Sequence, residues 1–128
     1  MPGFSIANLK EIEDAAANRG PDIEARFARK HLDSEHLGVS YFRYGAGYRS
    51  QIGHRHREQE EAYVVVSGSG RVRLDDEIVE LRQWDVIRVA PSVVRSFEGG
   101  PDGLEVIAIG SDRPEGGDGE MVPDHWSE

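Results

Sequence analysis

Two histidines two residues apart, His54 and His56, followed closely by Glu61, are the residues of this chain whose types and spacing point most directly to chemistry. In an extended strand, residues i and i+2 project to the same face, so the two imidazoles stand side by side. Two imidazoles and a carboxylate converging from neighbouring strands can hold a divalent transition metal and still leave positions open for water, substrate or oxygen. The chain has no cysteine, which removes disulfides and thiolate ligands, so a metal here must be held by histidine, carboxylate or water. Glu58 and Glu60 are further carboxylates, but Glu61 shares strand parity with Tyr63 and Val65, and the other two read as solvated turn residues. No Cys-His pair and no Gly-x-Ser-x-Gly strand elbow offers a competing nucleophile.

The spacing His-x-His-x4-Glu-x6-Gly, here His54, His56, Glu61 and Gly68, resembles the first motif of the cupin superfamily. The stretch from Trp84 to Phe97 resembles the second cupin motif in length, in its Asp85 to Pro91 interval and in its closing aromatic. It departs at Trp84 and Ser92, which stand where the family usually has Gly, and at Arg95, which stands where a histidine, the fourth metal ligand, is expected. The resemblance spans residues 36–110. It implies an all-β chain folded as an antiparallel cupin jelly-roll β-barrel. It also implies His54, His56 and Glu61 as ligands of Fe, Mn, Ni or Zn, and a homodimer. The family includes dioxygenases, isomerases, epimerases, storage proteins and ligand sensors, so the fold does not fix the activity.

The elements that must position these residues follow from periodicity. Residues 1–35 are expected to form an N-terminal helix and a first strand: Asn8 can cap a short helix with Leu9, Ile12 and Ala16 on one face, ended by Asn18-Arg19-Gly20-Pro21. Strand character follows from Ile23 to Leu32 and from His36 to Tyr44. In the next strand Tyr48, Ser50, Ile52, His54 and His56 share a face, with Arg49, Gln51, Arg55 and Arg57 opposite. Ser67-Gly68-Ser69-Gly70 reads as a tight hairpin turn, Asp75-Asp76-Glu77 as a second turn, and Gly99-Gly100-Pro101-Asp102-Gly103 as a loop before a last core strand, Leu104 to Ile109. Residues 36–110 would make the barrel. Residues 111–128, rich in Gly, Pro, Asp and Glu, read as an extended polar tail whose Val122, His125 and Trp126 offer the means to fold back.

Val93 and Phe97 are more apolar than Val94, Ser96 and Glu98, so Arg95 is expected to point inward between them. The lumen would then hold His54, His56, Glu61 and Arg95, with Tyr48, Tyr63 and Phe97 as further ligand-binding candidates. Two readings follow. In one, the metal site works as a dioxygenase or isomerase centre and Arg95 approaches an anionic ligand on the metal. In the other, Arg95 pairs with Glu61, and the pocket is a metal-free ligand-binding or sensing module, or an epimerase-like site with a histidine base and Tyr48 or Tyr63 as acid. A net charge of −9 argues against a nucleic-acid partner and against anionic lipid. With no apolar run long enough to span a membrane and no signal-peptide pattern at the start, a cytoplasmic setting with a small-molecule ligand is expected.

Overall fold

In the computed structural model, which describes residues 3–126, eight strands supply most of the regular structure and every pairing between them is antiparallel. They are β1 (Ile23–Phe27), β2 (Gly38–Tyr44), β3 (Ile52–His56), β4 (Glu61–Leu74), β5 (Glu77–Arg82), β6 (Val86–Val89), β7 (Arg95–Gly110) and β8 (Gly119–Pro123). β4 and β7 are the long ones, at 14 and 16 residues, and each bends midway so that its halves serve two facing sheets. The first sheet runs β1, β2, the C-terminal half of β7, the N-terminal half of β4, then β6. The second runs β8, β3, the N-terminal half of β7, the C-terminal half of β4, then β5. Val65, Leu104, Val106 and Ala108 from the first sheet meet Val72, Leu81 and Phe97 from the second, and this apolar layer is the core. The architecture is the antiparallel jelly-roll barrel that the motif resemblance implies.

The bend explains a correction. Ser67–Gly70 is not a hairpin turn, and residues 99–103 are not a free loop. Both lie inside continuous strands, at a corner where the β4–β7 register shifts between Val65 and Ser67 and again between Gly68 and Gly70. At the corner Gly68 takes a positive φ of 75°, and a Cβ there would lie 2.1 Å from the Gly103 carbonyl oxygen. A glycine is required for close passage of two backbones rather than for chain reversal.

The N-terminal helix is also reduced. Asn8 does cap, its side chain accepting from the Lys10 amide, but it caps one 3-10 turn, Leu9–Glu11, and a second such turn follows at Ala17–Arg19. Between them the backbone is drawn against β1: Ala15 N–H donates to the Ala25 carbonyl, and the Asp14 carboxylate accepts from the Ala16 and Ala25 amides. Ile12 and Ala16 are nonetheless buried, as their spacing implies. The strand expected to reach Leu32 stops at Phe27, and a single helical turn, α1 (Arg29–Leu32), ends on Asp33 in the left-handed region. No helix among the described residues is long and apolar enough to cross a membrane.

Candidate functional site

Three chain segments meet at one mouth of the barrel. β3 presents His54 and His56 on its inner side, the start of β4 presents Glu61 and Tyr63 in the same parity, and the start of β7 presents Arg95, the direct register partner of His54. Glu61 Oε1 lies 3.4 Å from His54 Nε2, 3.2 Å from His56 Nε2 and 3.3 Å from Arg95 Nη2. It also accepts a 2.6 Å hydrogen bond from the Tyr63 hydroxyl, which sits 3.4 Å from His54 Nε2. The imidazole rings stand edge to face with centroids 5.2 Å apart. Exposure is graded: the His54 side chain is 34% exposed, His56 and Glu61 12% and 13%, and Arg95 fully buried.

The charges follow this arrangement. Burial pushes the Glu61 carboxyl up, but the contacts of His54, His56 and Tyr63 outweigh it and hold the group well below the usual carboxylate range. For His56, burial favours the neutral ring, yet the Glu61 and Asp118 carboxylates raise it above its ordinary value. Burial, reinforced by the neighbouring Glu61 charge, pushes the Tyr63 phenol far up and keeps it protonated. Arg95 Nη1 donates to the Pro91 and Val93 carbonyls at 3.2 and 2.7 Å. Its Nε and Nη2, like His56 Nε2, are buried without a hydrogen bond; the contacts of Nη2 and of His56 Nε2 with Glu61 lack hydrogen-bond geometry.

The inward arginine and the choice of Glu61 over its neighbours agree with the parity argument: Glu60 is exposed and pairs with Arg88, and Glu58 is exposed. Two other candidates sit elsewhere. Phe97 is core, stacked on Tyr44 at 5.5 Å and tilted against Tyr63 at 5.0 Å. Tyr48 packs on the same core near the Gly45–Gly99 end of the barrel, where its carbonyl accepts from the Gly99 amide. Together these rings fill the lumen beneath the histidines. Two surface hollows, of about 230 and 330 Å³, flank the glycine corner instead and do not border the triad.

One residue of the site escaped sequence reasoning altogether. β8 pairs along β3, with Gly119 opposite His56, so the segment read as a polar tail is partly a strand of the second sheet. Just before it, Asp118 is buried. Its Oδ1 lies 2.9 Å from His56 Nδ1, and its Oδ2 accepts from the Glu58 and Gln59 amides at 2.7 and 2.9 Å. Burial works against its charge, but these contacts hold the carboxyl down at about 2. The only local hint is an acid in a glycine-rich run, Gly116-Gly117-Asp118-Gly119, which is also what a solvated turn looks like.

The donor set suits a metal. A transition ion about 2.0–2.2 Å from imidazole nitrogen and carboxylate oxygen needs ligand atoms roughly 3–3.5 Å apart, and both histidine-to-Glu61 separations fall there. All three ligand atoms lie within 4.8 Å of one another.

A two-sheet antiparallel barrel carrying two histidines and a glutamate at its mouth defines a β-barrel protein with a small polar site. More particularly, the chain has the cupin fold. No protein-family profile and no curated protein matches it, but solved structures do. A cupin protein from Bacteroides fragilis superposes with a TM-score of 0.72 at 22% identity, over 88% of this chain and 86% of that one. The polyketide cyclase RemF from Streptomyces resistomycificus gives 0.71 at 16%, over 93% and 84%. An oxalate decarboxylase variant from Bacillus subtilis gives 0.72 at 19%, over 93% of this chain but only 33% of the other. At these identities the likeness is one of fold.

Proposed function

We propose that this chain binds a small anionic ligand at the barrel mouth through a divalent metal held by His54, His56 and Glu61. The observation that carries the reading is the convergence of three ligand atoms within 4.8 Å, one of which, His56 Nε2, is buried with no hydrogen bond. A divalent ion in that position supplies a Lewis-acid charge for the ligand to meet. Around it the chain sets the charge: Arg95 offsets Glu61 at 3.3 Å, so metal and ligands together stay cationic and favour an anion. Partly exposed His54 lies on the solvent side and marks the entrance. With Tyr63 and Phe97 filling the lumen below, the ligand is small and sits at the mouth rather than deep inside.

A second reading draws on the Arg95–Glu61 contact and on the Tyr63 hydroxyl 3.4 Å from His54 Nε2. Without metal, His54 and Tyr63 form a base and acid pair of the kind an epimerase uses, and the guanidinium carries the anion. Elemental analysis of protein purified without a histidine tag separates the two. About one equivalent of Fe, Mn, Ni or Zn, lost in the His54→Ala/His56→Ala double variant with the fold kept, supports the metal site. Metal-free protein whose melting temperature rises with small carboxylates supports the second reading.

The partner in either reading is a second copy of the chain. The outer side of the first sheet carries Val86, 66% exposed, beside Val64 and Ile107, and Trp84, two residues before β6 begins, is 69% exposed. A homodimer would cover this apolar stripe. Sedimentation at high micromolar concentration tests it: a dimer that Val86→Lys dissociates supports the pairing, and a monomeric wild type removes it.

A further inference from the structure

We propose that Asp118 is a positioning residue that fixes the His56 imidazole in the tautomer with a proton on Nδ1 and a bare Nε2 turned toward His54 and Glu61. Its value for metal binding rests on the reading above; the tautomer itself is a property of the metal-free chain.

Asp118 is fixed on both sides by its surroundings. Its side chain is fully buried, and both oxygens are engaged: Oδ2 by the Glu58 and Gln59 amides, Oδ1 by His56 Nδ1 at 2.9 Å. An ionised carboxylate only accepts hydrogen bonds. His56 Nδ1 must therefore be the donor, and in the neutral ring Nε2 is left with a lone pair. That nitrogen is the buried one without a hydrogen bond, 3.2 Å from Glu61 Oε1. Two backbone N–H groups anchor the carboxylate, and pairing of β8 along β3 anchors the backbone that carries it. His54 has no such carboxylate on Nδ1 among the described residues: its ring bonds, through Nε2, with Glu61 and Tyr63. The segment that leads into β8 thus sets one ligand of the site rather than merely covering it. A carboxylate behind a metal-binding imidazole orients the ring and fixes its tautomer.

Asp118→Asn is the informative substitution because it keeps shape and reverses one hydrogen bond. The Glu58 and Gln59 amides can be met only by an oxygen, so the new amide oxygen stays with them and its NH2 faces His56 Nδ1. That nitrogen must then accept, and the proton moves to Nε2, where it blocks coordination. Long-range 1H–15N spectra of the metal-free protein, recorded at alkaline pH where the ring is neutral, read the tautomer directly. Wild type is expected to show Nδ1–H and the variant Nε2–H. Competition for Zn2+ against a chromophoric chelator is expected to show affinity falling at least tenfold in the variant, with an unchanged circular dichroism spectrum. A loss of packing alone would not exchange the protonated nitrogen. An Nε2–H tautomer in the wild type overturns the proposal without recourse to any variant. So does an Asp118→Asn variant that keeps the Nδ1–H form and binds Zn2+ within twofold of wild type. A tautomer switch in a chain whose wild type takes up no Zn2+ supports the orienting role and overturns the metal reading instead.

Discussion

Replacing Glu61 with Gln removes one charge and almost no volume, and its effect on the metal-free protein follows from the geometry. The amide oxygen can still accept from Tyr63, but Arg95, fully buried, loses the carboxylate that lies 3.3 Å from it. Deleting one partner of a buried pair costs about 3–5 kcal/mol, because the other charge stays buried and uncompensated. Two features place this case at the low end. Glu61 itself no longer has to be desolvated as an anion, and Arg95 keeps its bonds to the Pro91 and Val93 carbonyls. A loss of about 3 kcal/mol, set against an unfolding entropy of roughly 2.1 cal/mol/K per residue, lowers the melting temperature by on the order of 10 °C in a chain of this length. Thermal and urea unfolding in EDTA measure it, and an Arg95→Met background supplies the control. There the same Glu61→Gln change should cost clearly less, since no buried guanidinium is left uncompensated and only the contacts with His54, His56 and Tyr63 are altered. Equal costs in the two backgrounds, or a single variant that melts with the wild type, would refute the reasoning.

Arg95→His places a third imidazole opposite His54 and releases Glu61 from its cation, so Zn2+ affinity in a chelator titration should rise at least tenfold; identical affinities would show that residue 95 does not face the pair. Glu24, on the outer side of β1, is disfavoured as an anion by burial but held down at about 2 by Lys10, Arg43 and Arg26. Its folded pKa is depressed, so its contribution is present above the unfolded value of about 4.3 and is lost as pH falls through about 2. Glu24→Gln should therefore be less stable than wild type by on the order of 2 kcal/mol at pH 7 and match it near pH 2, and a constant difference across that range would contradict the linkage. Trp84 has a φ of 75° while its side chain is largely exposed. Relieving a left-handed residue gains about 1–2 kcal/mol and the added chain entropy of Gly returns about 0.4–1, so in the Val86→Lys background, where no dimer covers the indole, Trp84→Gly should raise the melting temperature by a few degrees; a lower midpoint there would mean that the indole is packed within its own chain.

What could be read in the chain before folding was whatever depends on neighbours a few residues away. The shared face of His54 and His56, the parity of Glu61 with Tyr63, and the inward turn of Arg95 between Val93 and Phe97 are all period-two arguments, and the strands keep that period. The departure at Trp84 is legible in the same way, since a position where the motif usually has Gly proves to need a positive φ. The corner at Ser67–Gly70 was not legible, because a Gly-rich break between two apolar strands is locally identical to a hairpin. Only its pairing with residues 99–105 of β7, roughly thirty to forty residues away, carries the chain round the corner as one strand instead of reversing it. Asp118 was hidden for the same reason. Its acidity and glycine neighbours suit solvent, and it becomes a buried anchor only when β8 closes on β3 and the Glu58 and Gln59 amides turn toward it.

The central claim is that His54, His56 and Glu61 hold a metal, and anomalous diffraction from crystals soaked in Mn2+ or Zn2+ tests it most directly. The account predicts a peak about 2.0–2.2 Å from Nε2 of both histidines and from a carboxylate oxygen of Glu61, with Asp118 still on His56 Nδ1. An empty site in crystals whose solution holds millimolar metal, with Glu61 remaining on Arg95, would contradict it.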